Sequence, residues 1–167
     1  MIEEVKRNYL EINSIKDLKE TNQLFDDFFI VLINPVNFQL NRFFYKNIGK
    51  KHRWVDRLIW SEQQWIDYVS SSKVKTYVLK NKDNLVGFFE LIFHLENKEV
   101  EIAYFGILEE YQNKKLGSFL LSEAIKKSFN ENIKRVWLHT CSLDHENALK
   151  NYLARGMKIF KSEIVKI

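Results

Sequence analysis

The chain has 167 residues, with 26 Lys or Arg against 22 Asp or Glu, for a net charge of +4. A hydrophobic share of 46%, with only five Gly and one Pro, supplies one ordinary core and excludes collagen-like, low-complexity and linker-rich classes. Acidic and basic residues alternate along most of the chain, so the pI of about 9.0 reads as a mixed-charge, solvated surface and not as a nucleic-acid-binding stripe.

Cys141 is the single cysteine, which rules out an intramolecular disulfide, and the four histidines show no zinc-ligand spacing with it. No metal is expected. Nothing in the sequence resembles a signal peptide or a membrane span, so the expectation is one domain over residues 1–167 in a reducing cytoplasm, with no membrane partner. The oligomeric state, homodimer included, is open at this stage.

In chain order, KRNYLEIN (6–13) reads as a first strand and residues 15–27 as an irregular or partly helical connection. Phe28 to Ile33 is a continuous apolar run stopped by Asn34-Pro35, which predicts a buried strand or tight connection. Leu40, Phe43, Phe44 and Ile48 lie at helical spacing over 36–48, with Gly49 as the stop. The loop KKHRWVDRLIW (50–60) mixes cations with large aromatics, and one reading of it has Trp54 and Trp60 plugging the core while Lys50, Lys51 and Arg53 stay in water. Ser61 to Gln64 is a capping box, opening a helix with Trp65, Ile66 and Val69 on its apolar face. Strands follow at 75–79, 85–95 and 100–107, the first two joined by an Asn81–Asn84 hairpin. A helix from Gly117, a strand at 134–140, a helix with Asp144 as N-cap and Gly156 as stop, and a last strand at 158–165 complete the chain.

Alternation along 100–107 places Glu101 with Ala103, Phe105 and Ile107 on one mostly apolar face. A carboxylate there has to be solvated, paired or shifted in pKa. Glu90 on the preceding strand is a second such carboxylate, and across a ladder of unknown register the two could raise one another's pKa. Beyond the strand, Gln112-Asn113-Lys114-Lys115-Leu116-Gly117 is a basic turn into a helix, whose first-turn N–H groups and lysines suit an anion.

Gln112-x-x-Lys115-x-Gly117 after a hydrophobic strand resembles the Q/R-x-x-G-x-G/A signature of the GNAT superfamily of acyl-CoA-dependent N-acyltransferases, with Lys115 in the place of the first glycine. Ala148-Leu149-x-x-Tyr152-x-x-x-Gly156-Met157 is similar to the family's second helix motif. NPVNFQLNRFFYKNIG, Trp54-x-x-Arg57, GFFEL, EIAYFG and HTCSLDHENAL together resemble an uncharacterised bacterial subgroup, for which no substrate is implied.

The resemblance implies an α+β GNAT fold, a central mixed, mostly antiparallel sheet flanked by helices. It implies acetyl-CoA as cofactor, held by backbone near Phe105, Gly106 and Ile107, by Gln112, Asn113, Lys114, Lys115, Leu116, Gly117 and Ser118, and by Asn147 or His145. Glu101 precedes Gln112 by eleven residues, the spacing of the general-base glutamate in histone-acetylating members. Glu90 is its substitute; a structural pair with Arg53 or Arg57 is the other reading of Glu101. Tyr152 matches the tyrosine that protonates the coenzyme A thiolate, or else is a core tyrosine. Tyr45, Trp54 and Arg57 are placed to wall an acceptor pocket, whereas His139 reads as a core histidine. The expected activity is acetyl transfer from acetyl-CoA to a primary amine of a small molecule or peptide by direct attack, with Cys141 as an acyl carrier the rival. A catalytically silent acyl-CoA-binding regulatory or sensor module is the alternative function.

Overall fold

The computed structural model describes residues 2–21, 26–112, 114–145 and 147–167. Seven strands form one sheet: β1 (Glu4–Ile12), β2 (Phe28–Leu32), β3 (Val74–Asn81), β4 (Asn84–His94), β5 (Glu99–Ile107), β6 (Arg135–Cys141) and β7 (Lys158–Lys166). Their order across the sheet is β2-β3-β4-β5-β6-β1-β7, and every neighbouring pair is antiparallel except β5 and β6. Helices α1 (Phe38–Gly49) and α2 (Glu62–Ser70) cover one face; α3 (Leu116–Ser128) and α4 (Ala148–Ala154) cover the other.

Each helix lies where its apolar stripe is buried. Leu116, Leu120, Leu121, Ala124 and Ile125 of α3 pack on Phe89, Leu91, Val100 and Ile102, each aliphatic side chain worth roughly 1.5–3 kcal/mol on full burial. On the opposite face Phe44 of α1 stacks on Phe88 at 4.9 Å between ring centroids. Ser61 caps α2 as its sequence predicts, its side chain accepting from Gln64 N while Gln64 returns the bond to Ser61 N. Gly49 is the last residue of α1 and no left-handed stop; a Cβ there would stand 2.5 Å from Cβ of Trp54, so glycine is what lets the following loop fold back.

Three sequence expectations are corrected. The apolar run Phe28–Leu32 is an edge strand and not a buried one: Phe28 and Ile30 pack against the core, while Phe29, Val31 and Leu32 are exposed. Asp144 is no N-cap: its carboxylate accepts from Thr140 Oγ1 and Cys141 N, closing the turn after β6, and Asn147 occupies the N-cap of α4. The face alternation of β5 is broken by a bulge. Glu90 pairs with Tyr104 but Leu91 with Ile102, so Ala103 is the unpaired extra residue. Ile102, Phe105 and Ile107 therefore share the α3 face, while Glu101 falls on the α1 side with Tyr104.

The α1 face is organised by a buried ion pair. Glu90 is fully buried and accepts from Arg57 Nη1 at 2.9 Å, Asn41 Nδ2 at 2.8 Å and Tyr68 OH at 2.7 Å. Burial works against the Arg57 charge, but Glu90, Tyr68 and Tyr104 together outweigh it and raise the guanidinium's pKa. Five rings surround Arg57 Cζ: Tyr68, Tyr104, Trp60, Trp65 and Tyr45, at 4.2, 4.4, 4.7, 5.5 and 5.7 Å from their centroids. Glu90→Leu, which leaves that guanidinium buried without its carboxylate, is expected to lower unfolding free energy by about 3–5 kcal/mol in urea titrations. The double variant Glu90→Leu/Arg57→Met should lose less than the sum of the two single losses.

Candidate functional site

The ladder between β5 and β6 stops early. Only Glu99–Glu101 pair with Arg135–Trp137; beyond them the strands part, and the free edge of β5 faces a gap. A cavity of 470 Å³ passes through it, lined by Ile102 and Leu138 of the α3 face and by Tyr104 and Gly106 of the α1 face. One end meets the turn and first residues of α3, and the other meets the loop after α1.

At the α3 end, Gln112, Lys115, Leu116, Gly117 and Ser118 line the wall together with Phe105, Gly106 and Ile107. Gln112 Nε2 donates to Ile107 O at 3.1 Å, which ties the turn to the strand end, and Ser118 Oγ donates to Asn151 Oδ1 at 3.0 Å, which ties α3 to α4. Lys115 has φ of 63° at the N-cap of α3, a left-handed conformation that explains why the resembled signature carries glycine here. Asn147 lines the same wall. Lys114 is exposed over the Tyr111 ring at 5.6 Å and is not on the wall, while Asn113 lies outside the described residues.

Tyr152 lines the cavity, with its ring 6.3 Å from Phe105. Burial, with Asp144 adding to it, pushes its phenol well above the ordinary tyrosine range, so the proton stays on at neutral pH. Cys141 is also on the wall, and burial followed by the charge of Asp144 pushes its thiol up; a raised thiol is a poor nucleophile.

The carboxylates stand elsewhere than expected. Glu90 is enclosed by Arg57, Asn41 and Tyr68 and is not on the cavity wall, a placement that fits the buried pair and not a substitute base. Nor does it face Glu101, which pairs with Ile92 two positions farther along β4. Glu101 makes a 3.2 Å contact with His94 Nε2 and is not part of the cavity wall.

Of the three acceptor-wall candidates, Trp54 lines the cavity; Tyr45 and Arg57 do not, being buried in the aromatic cluster, where Tyr45 OH accepts from Arg57 N at 3.0 Å. Residues not expected on this wall take their place: Arg7 on β1, His52, Arg53 and Asp56 in the loop, Tyr104 on β5, and His139 on β6. Strand alternation offers one signal for them, since Arg7 and His139 share the face of Glu101 once β1 is placed beside β6. His139 is exposed into the cavity and is not a core histidine. Partial burial first, and Arg7 second, hold its pKa below the usual imidazole value, against the opposing fields of Glu101, Asp144 and Asp56.

Among the described residues there is no cluster of three His, Cys, Asp or Glu side chains placed to hold a metal ion. No helix is long and apolar enough to cross a membrane.

The model of the acetyltransferase (GNAT) family matches residues 37–157, so the chain belongs to this family, and its seven-stranded mixed sheet with four helices is the GNAT fold. A GCN5-related N-acetyltransferase from Sphaerobacter thermophilus superposes with a TM-score of 0.75 at 11% identity, over 97% of this chain and 50% of its own. A functionally unknown conserved protein from Staphylococcus epidermidis does so with a TM-score of 0.62 at 20% identity, over 98% and 61%. An aminoglycoside acetyltransferase from an uncultured soil metagenomic sample, in complex with trehalose, gives 0.64 at 11% identity, over 78% and 88%. The chain thus spans about half to three fifths of the first two structures' length. No curated protein matches it.

Replacing Lys115 by glycine is expected to stabilise the protein by about 0.5–1 kcal/mol, read as a higher Tm, because relief of the left-handed strain exceeds the added chain entropy.

Proposed function

We propose that the protein is an N-acetyltransferase that moves the acetyl group of acetyl-CoA to a primary amine of a small molecule or peptide by direct attack. The observation that carries this reading is the passage through the gap between β5 and β6, where a free strand edge, a protonated phenol and a neutral imidazole meet. Family membership supports it.

The residues present fit coenzyme A. The outward backbone of Phe105–Ile107 offers amide groups to a pantetheine arm, as a missing strand partner would. Gln112 and the first turn of α3, Leu116–Ser118, offer N–H groups to phosphates, with Lys115 adding positive charge and Lys114 beside it. A Cβ at Gly117 would meet nothing closer than Asn151 Nδ2 at 3.8 Å, so approach to this backbone is open. Bound there, acetyl-CoA supplies an activated thioester.

Transfer forms an N–C bond and breaks a C–S bond, so the ammonium of the acceptor must lose a proton and the departing thiolate must gain one. Tyr152 is the donor to sulfur, since its phenol is protonated and lies on the wall. For the acceptor, the proton-taking group is His139, neutral near pH 7 and open to the cavity. Glu101 supports it through its field, favouring the imidazolium that forms. The raised Cys141 thiol favours direct attack over an acyl-enzyme.

Tyr152→Phe is expected to lower kcat about 100-fold with little change in KM for acetyl-CoA, measured by thiol release with an amine panel. No thiol release above hydrolysis with any amine would leave the silent acyl-CoA-binding module as the better reading. The acid limb of kcat/KM should fall below pH 6.5, because the imidazole must be unprotonated and its pKa is lowered. His139→Gln should lower the rate and abolish that limb.

A further inference from the structure

On the α1 side of the cavity, the charged side chains are not equally committed. Arg53 is ion-paired with Glu3, and His52 Nδ1 is bonded to Leu143 O at 3.2 Å. Arg57, although next in sequence to Asp56, turns inward to Glu90. Two groups are left over. Arg7, half-buried on β1, has its Nε buried without a hydrogen-bond partner, and among the described residues no carboxylate lies within 4 Å of its guanidinium.

Its opposite number on β7, Glu163, is already engaged by Tyr9 OH at 2.7 Å and Lys161 Nζ at 3.6 Å. The second group is Asp56, exposed at the cavity wall, where Oδ2 accepts from Tyr104 OH at 3.1 Å and no cation is within ion-pair distance among the described residues. His139 is close enough to both for each to bias its charge, Arg7 opposing its protonation and Asp56 favouring it.

A buried guanidinium donor with no acceptor is costly, and a planar fork of this kind suits a carboxylate better than any neutral group. A carboxylate fixed by a hydroxyl and short of a cation suits an ammonium. We infer that the acceptor is an amino acid-type molecule, its carboxylate taken by Arg7 and its ammonium admitted past Asp56 to His139. This rests on the acetyltransferase reading and narrows it to acceptors that carry both charges. A polyamine or aminoglycoside brings only positive charge and leaves Arg7 unpaired.

The test is thiol release with acetyl-CoA across α- and ω-amino acids, each paired with its own carboxamide, and with an aminoglycoside. Wild-type protein should prefer the acid over its amide by about 10- to 100-fold in kcat/KM. The amide's less basic α-amine opposes that preference, so it is not an artefact of amine reactivity. In Arg7→Met the ratio should fall towards one, mainly through KM, while Arg7→Lys should keep part of it.

Equal turnover of acid and amide, or best turnover of the aminoglycoside, overturns the inference and leaves acetyl transfer standing. If no amine is acetylated, the broader reading fails. The pocket is then judged by calorimetric titration of the coenzyme A-saturated wild-type protein. Binding of the acid but not its amide supports the Arg7 site, and equal or absent binding rejects it.

Discussion

The buried pair between Glu90 and Arg57 is the interaction on which the acceptor half of this molecule depends. Glu90 belongs to the sheet, Asn41 to α1, Arg57 to the loop after it and Tyr68 to α2, so one carboxylate with three donors joins four segments of the chain. The five rings around the guanidinium exclude water and make departure of any member expensive. One consequence is directional. With Arg57 held inward, the preceding stretch from His52 to Asp56 is the part of the loop presented to the cavity.

The opposite half is held by means that involve no buried charge. A bulge at Ala103 and the early end of the β5–β6 ladder open the sheet, while Gln112 and Ser118 fasten the turn and α3 to either side of the opening. Arg135 keeps the opening from running further, donating to Glu11 of β1 and Glu99 of β5 at 3.2 and 2.8 Å across the paired end. Cofactor side and acceptor side are thereby built by different physics: backbone left deliberately without a partner, and side chains locked to one another.

Most strands and helices were legible because their signals are local: the capping box at Ser61, the hairpin at Asn81–Asn84, and the stripe of α3 each depend on residues a few positions apart. The cofactor wall was legible for the same reason, as the turn and helix from Gln112 to Ser118 are contiguous. The acceptor wall was not. Arg7 and His139 become neighbours only through the pairing of β1 with β6, and no periodicity within either strand announces it. The single residue inserted at Ala103 reverses the face of Glu101, and a bulge leaves no mark in an alternation that is apolar on both sides. Arg57 was expected on the acceptor wall because its loop follows α1; the aromatic cage that turns it inward is assembled from α1, the loop itself, α2 and β5, which no local pattern brings together.

The place of β1 has a further implication, for the order in which the fold is completed. This strand sits between β6 and β7, with Arg7 opposite Cys141 on one side and Glu163 on the other. At ribosomal speeds its first partner follows it by roughly 6–25 s. Through that interval Val5, Leu10 and Ile12, destined for the core, have no sheet to join, while Lys6 and Arg7 break the run with charge. A strand interrupted by the charges of Lys6 and Arg7 is a poorer template for association with another chain than an unbroken apolar run would be.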